Sequence, residues 1–264
     1  MTYETLVVWR DGAVEYVTLN RPDVRNAFNE QMIAELHDWA GTARAAASSG
    51  ALRAVVLAGA GPSFCAGADL TWMANAAQFT EVENQRDAQA AARMFSAINE
   101  LPVAVIGRIH GAAMGGGAGL AAVCDVAVTE SDAVFAFSEV KLGILPAVIA
   151  PYALAKIGPS AARELFLTGA RFSAARAQEI GLVHAVVSKN ELDTRVSETI
   201  RDILQAGPQA VAAAKGLIAQ LAGRPIDDDV RSLTAEAIAK RRVSAEGQEG
   251  LKAFLEKRKP SWSS

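Results

Sequence analysis

The chain has 264 residues, 51% of them hydrophobic and 21% charged, with a formal net charge of −3. These values suit one large globular domain, or one domain with an appendage, and with no basic block they exclude a nucleic-acid surface. Two cysteines, Cys65 and Cys124, match no metal spacing, and His37, His110 and His184 are too scattered for a metal site, so buried thiols in a reducing, cytoplasmic setting are expected.

The stretches "TLVVWR" (5–10) and "AVEYVTL" (13–19) read as strands joined at "DG" (11–12), a strong hairpin signal. The amino terminus lacks a charged region followed by a long apolar core, so no signal peptide is expected. Residues 20–29 are turn-rich, and 30–46 carry apolar residues at helical spacing. Residues 53–60 form a buried strand and 61–70 a loop. A helix over 80–99 turns Phe95, Ile98 and Leu101 to one side, and 102–109 is another continuous apolar strand. A glycine-rich run follows, "HGAAMGGGAGLAAVCD" (110–125), then strands at 125–130 and 133–137. Beyond about 150 the pattern is mainly helical, with one short strand at 182–187. Helices at 190–205, 208–221 and 226–242 are separated at Gly207-Pro208 and Gly223-Arg224-Pro225. "DDD" (227–229) suits the positive end of a helix dipole better than a metal. Apolar strands alternating with helices indicate an α/β protein whose strands are covered on both faces.

The glycine run has three readings. Gly117 to Ala122 fits G-x-G-x-x-A, but no acidic residue follows at the right place and no Walker motif occurs anywhere. Close packing of a helix on a strand is the second. The third places a helix start near Gly116, whose first N–H groups have no partner inside the helix and carry the dipole's positive end. Such amides can form an oxyanion hole, for which "FCAGADL" (64–70) would supply a second donor. The uncharged stretch from Gly111 to Cys124 falls short of the roughly 20 residues of a membrane span, so no membrane role is expected.

"SFCAGADL" (63–70), "AAMGGGAGLAAVCD" (112–125) and "SEVKLGILP" (138–146), in this order, resemble the enoyl-CoA hydratase/isomerase family, also called the crotonase family. "LNRPDVRNAFN" (19–29), "LTGARFSAARAQEIGLVHAVV" (167–187) and "EGLKAFLEKRKPSW" (249–262) extend the likeness over nearly the whole chain. The resemblance implies a ββα-spiral core over 1–189 carrying the site, and a helical trimerisation region over 190–264, often in a dimer of trimers. It also implies a coenzyme A thioester as substrate, with no metal or redox cofactor. The N–H groups of Ala68 and Gly116 would hold the thioester oxygen, with Ala66, Asp69, Leu70, Gly115 and Gly119 lining the same two loops. Arg25 and the backbone near Ala27 would receive the CoA nucleotide, and Lys257 would reach its phosphates from an adjacent subunit.

Backbone amides cannot move protons, so a carboxylate is needed near the acyl α- and β-carbons. Glu139 matches the family's second catalytic glutamate, and walls of Phe137, Leu142 and Ile144 would raise its pKa by desolvation. The best-known hydratases have a further glutamate two residues after the triple glycine, where this chain has Gly119. "AGADLTWM" (66–73) and "SEVKLGILPAVIAPYALAKIG" (138–158) look most like the branch that hydrates 3-methylglutaconyl-CoA, and "PAVIAPY" (146–152) implies a different acyl pocket. A hydratase is therefore expected. A Δ3,Δ2-enoyl-CoA isomerase with one glutamate base, a decarboxylase and a catalytically silent CoA-ester binder remain alternatives.

Overall fold

The computed structural model describes residues 2–263. Strands β1 (Leu6–Asp11) and β2 (Val14–Leu19) form an antiparallel hairpin, with Asp11 opposite Val14. From β2 onward the sheet is parallel. It takes in β3 (Ala54–Gly59), β4 (Ala104–Ile109), β6 (Val126–Glu130) and β9 (Ala185–Val187), in the order β1-β2-β3-β4-β6-β9. A second sheet has the order β5-β7-β8, from three short strands: β5 (Ala112–Met114), β7 (Val134–Ala136) and β8 (Arg171–Ser173).

Side chains alternate across β3. Val55 and Leu57 face one core, shared with helices α1 (Glu30–Ser48), α3 (Glu81–Asn99), α4 (Gly116–Val123) and α5 (Ala150–Thr168). Ala54 and Val56 face a second core, with Leu192, Val196 and Ile200 of α7 (Leu192–Gln205). Both faces are thus covered, which is why β3 and β4 read as continuous apolar runs. Met32, Leu36 and Trp39 of α1 and Met94, Phe95 and Ile98 of α3 supply most of the bulk on the first side. Cys65 and Cys124 are buried free thiols, both pushed up to about 12 by burial.

The remaining helices are α2 (Leu70–Ala76), α6 (Ala174–Glu179), α8 (Pro208–Leu221), α9 (Asp228–Val243) and α10 (Ala245–Leu255). Asp227 caps α9 by accepting from the Val230 N–H at 2.9 Å, and Asp228 and Asp229 sit in its first turn, so the acidic run serves a helix start. The C-terminal helices are tied to the beginnings of the parallel strands. Lys215 of α8 bonds Asp125, just before β6, at 2.7 Å and the Val103 carbonyl, just before β4, at 3.2 Å. Arg53, just before β3, donates to the carbonyls of Leu204, Ala206 and Trp262. The loops that follow β3 and β4 lie at the opposite strand ends. No helix among the described residues is long and apolar enough to cross a membrane.

Candidate active site

Two loops meet at the C-terminal ends of β3 and β4. After β3, residues 65–68 pass between two neighbours, bridging one at Cys65 and the other at Ala68 with a bend at Gly67. Cys65 bridges Ala113 through Cys65 N–H to Ala112 O (3.0 Å) and Met114 N–H to Cys65 O (3.0 Å). Ala68 bridges Phe28 through Phe28 N–H to Gly67 O (2.7 Å) and Asp69 N–H to Phe28 O (2.8 Å). In this register Ala68's own N–H points away from Phe28, and it has no protein acceptor among the described residues.

The glycine run opens α4 as its sequence suggests. Gly115 is the cap residue, at φ 50°, and its N–H donates to Ala136 O at 2.8 Å. The first intrahelical bond runs from Gly119 N–H to Gly115 O at 3.0 Å, so the Gly116 N–H has no partner inside the helix. Gly67, at φ 96°, backs onto this cap: a Cβ there would meet Met114 O at 2.9 Å and Gly115 Cα at 4.0 Å. Only glycine allows both the left-handed backbone and this approach. The peptides carrying the Ala68 and Gly116 N–H groups therefore lie side by side.

Glu139 enters from the second sheet. It begins a single 3₁₀ turn (Glu139–Leu142) that follows β7. Its Oε1 lies 3.2 Å from where a Gly115 Cβ would be, so the carboxylate stands against the α4 cap. Oε2 is shielded from solvent and has no hydrogen-bond partner. Burial raises the pKa of this group above the usual glutamate range, opposed by its own backbone N–H. Of the three side chains expected to wall it, only Phe137 is buried; Leu142 and Ile144 are 60% and 53% exposed. Leu142 ends the 3₁₀ turn and Ile144 lies on the loop leaving it, before α5 packs down.

The other expected residues divide into groups. Ala66 donates its N–H to Arg25 O at 2.9 Å, which joins the turn over 20–29 to the β3 loop. Arg25 and Ala66 line an open cavity of about 440 Å³, together with Met114, Asp132 and Arg171. Ala27 is buried, and its carbonyl accepts from Arg21 at 2.6 Å. Asp69 is a buried structural carboxylate. It caps α2 through the N–H groups of Thr71 and Trp72 and pairs with Arg21 at 2.9 Å. Burial alone would raise its pKa, but the Arg21 bond and the helix N–H groups hold it below the usual range. Leu70 opens α2 and is 82% exposed. Lys257 follows α10, in a tail whose Trp262 carbonyl is held by Arg53 before β3. That anchor lies at the strand ends opposite the loops, and within one chain nothing ties Lys257 to them among the described residues.

Three residues beyond those expected shape the site. Asn26 is fully buried at φ 57° and donates to Ala60 O and Ser63 O, both at 2.8 Å, fixing the β3 loop against the turn. The signal for it was an Asn inside a turn, a residue type that tolerates left-handed backbone. Ile149 and Phe95 close the space over Gly119: a Cβ there would lie 2.9 Å from Ile149 Cβ and 3.2 Å from Phe95 Cε1. The stretch "PAVIAPY" (146–152) already implied a different acyl pocket, but nothing in its local pattern singles out Ile149 within it.

The enoyl-CoA hydratase/isomerase family model matches residues 10–264, almost the whole chain. The chain belongs to the enoyl-CoA hydratase/isomerase family. Among sequences it is similar to the crotonyl-CoA hydratase of Syntrophomonas wolfei, 32% identical over 100% of both chains. It is also similar to the short-chain-enoyl-CoA hydratase of Clostridium acetobutylicum, 31% identical over 98% of this chain and 97% of that one. Among solved structures, an enoyl-CoA hydratase from Shewanella pealeana superposes with a TM-score of 0.94 at 38% identity, covering 98% of this chain and 96% of that one. The fold is that of the crotonases, a mixed α/β core followed by a helical C-terminal region.

Proposed function

We propose that this enzyme adds water to an α,β-unsaturated acyl-CoA, with a branched ester such as 3-methylglutaconyl-CoA as the preferred class. The observation that carries the reading is the half-buried Glu139 carboxylate set against the cap of α4, beside two loops with free amides. The names of the relatives support hydration. The branch rests on the motif likeness around 66–73 and 138–158.

In this mechanism the Ala68 and Gly116 N–H groups donate to the thioester oxygen. The Glu139 carboxylate takes a proton from water as the water oxygen bonds to the β-carbon. The double-bond pair moves toward the carbonyl and the charge rests on the oxygen as an enolate. Protonated Glu139 then returns the proton to the α-carbon, the thioester carbonyl re-forms, and the carboxylate is restored. A carboxyl pKa shifted upward suits a group that must both accept and return a proton. Each backbone donor is worth on the order of 10²–10³ in rate in comparable oxyanion holes. The CoA nucleotide would lie along Arg25 and Ala27, and Lys257 would reach its phosphates from a neighbouring subunit of a trimer. No step calls for a further cofactor.

One observation favours a second reading. Hydrocarbon rather than a second carboxylate fills the space over Gly119. A lone Glu139 could instead take a proton from C2 of a 3-enoyl-CoA and return it at C4, as in Δ3,Δ2-isomerisation. Incubation with 2-enoyl-CoA esters in H₂¹⁸O separates the two. Label in a 3-hydroxyacyl product supports hydration. Absence of label, with a 3-enoyl ester converted to its 2-enoyl isomer, overturns it.

A further inference from the structure

Gly115 caps α4 and Gly119 lies within it, joined by the Gly119 N–H to Gly115 O bond at 3.0 Å, one helical turn or about 6 Å further along the axis. The Cβ direction at Gly115 meets the Glu139 carboxylate, and that at Gly119 meets Ile149 and Phe95. The Glu139 carboxylate thus stands at the cap of α4, and a hydrocarbon wall stands one turn further along the helix.

That wall has little freedom. Ile149 is 3% exposed and holds the cap position of α5, its carbonyl accepting from Ala153 N–H at 3.1 Å. Its branched Cβ, the atom nearest Gly119 apart from Cγ2, cannot swing away as the tip of a flexible chain could. Phe95 is likewise 3% exposed, packed edge-on against Phe28 at 6.0 Å between ring centres and tilted against Tyr152 at 6.2 Å.

We propose that Ile149 is a specificity-determining residue: with Phe95 behind it, it fills the space that any side chain at position 119 would need, and it ends the acyl compartment one helical turn beyond Glu139. The proposal rests on the reading of these loops as an acyl-CoA site. Two consequences follow from the packing. Position 119 is coupled to Ile149, so a side chain at 119 is tolerated only when Ile149 is trimmed. The compartment also accepts short or compact acyl groups, and a long straight chain is blocked by Ile149 on this side.

The test has two arms. In the first, melting temperatures are measured without substrate for wild type, Gly119→Ala, Ile149→Ala and the double variant. The double variant should melt well above the value expected from adding the two single losses. Strict additivity would overturn the coupling. In the second, kcat/KM is compared for four-carbon and eight-carbon straight-chain 2-enoyl-CoA esters. Ile149→Ala should raise the eight-carbon to four-carbon ratio by about tenfold or more. An unchanged ratio would overturn the acyl-compartment claim. Should Ile149→Ala fail to fold, Ile149→Val, which trims one methyl, carries this arm with an expected rise of about threefold, again overturned by no change. The melting arm needs no turnover. If wild type converts no enoyl ester, the proposed reaction fails while the coupling is still decided.

Discussion

Glu139 shows how one residue's surroundings set both its chemistry and its cost to the fold. Its folded pKa lies above the unfolded value, so above pH ~4.5 the unfolded chain releases this proton first. Stability therefore falls as pH rises from the unfolded value through the folded one, and at neutral pH the fold carries a half-buried carboxylate whose shielded Oε2 has no partner. Glu139→Gln should accordingly raise the melting temperature at pH 7 and change it little at pH 4, as calorimetry at the two values would show. The same shift places the acid limb of the kcat/KM profile above the ordinary glutamate range. Gly67 makes a complementary prediction. A Cβ at φ 96°, pressed to 2.9 Å from Met114 O, should cost Gly67→Ala about 1–3 kcal/mol by denaturant unfolding. Because that residue bears on the peptide carrying the Ala68 N–H, kcat should also fall on the order of 10²-fold, as expected when one oxyanion donor is displaced.

At the scale of elements, α4 is held at both ends. Its N-terminal amides face the loops, while its last turn is tied down by Lys156 of α5, which donates to Cys124 O at 2.6 Å and Ala121 O at 3.3 Å. Burial pushes this amine's pKa down, opposed by nearby Cys124 and Asp125. Lys156→Met should leave the two carbonyls unpaired and lower stability by about 1–3 kcal/mol in denaturant unfolding. The β6–β9 edge has its own pH dependence. Ala127 N–H donates to His184 Nδ1 at 3.0 Å, and burial, with Lys156 next, holds His184 below its usual pKa. The unfolded chain binds that proton more readily, so this contribution is complete above pH ~6.5 and is lost as pH falls toward the folded value. His184→Gln should flatten the pH dependence of the melting temperature between pH 5 and 7.

Much of this element scale was legible in the chain. Asp11-Gly12 between two strand-like runs marked the hairpin, and doubly buried strands announced themselves as unbroken apolar runs. Gly116 was readable as a helix start because few other residues explain so many glycines after a strand. Elements that bury little were not. Helix α2 has no buried residue and so no apolar period to read. Gly247 and Gly250 disguise α10 as loop, although Gly250 is where Trp262 packs, 3.0 Å from a would-be Cβ. Strands β5 and β8 have three residues each without a longer apolar run around them: β5 lies between Gly111 and Gly115, and β8 buries only Phe172. At the site, Glu139 and the two loops stood out through the family resemblance, and the structure brings Glu139 against the α4 cap. The Ile149 wall was not, because it depends on α5 folding back over α4.

For the whole molecule, the parallel sheet separates two tasks. The candidate site gathers at the C-terminal strand ends, and the helices after α7 dock at the N-terminal ends through Arg53 and Lys215. Those helices and their connections leave large apolar side chains open, among them Ile226 between α8 and α9 at 83% and Phe254 of α10 at 82% exposure. We propose that they pack between subunits of a trimer. Light scattering should give a trimeric or hexameric mass, reduced by Phe254→Asp; a monomeric wild type would contradict this.

The central claim is that Glu139 transfers the proton while the loop amides hold the thioester oxygen. Its most direct test is Glu139→Gln, assayed for turnover and, by calorimetry, for binding of a saturated acyl-CoA. Turnover should fall by about 10²–10⁴-fold with affinity essentially unchanged. Turnover near the wild-type level would contradict the claim.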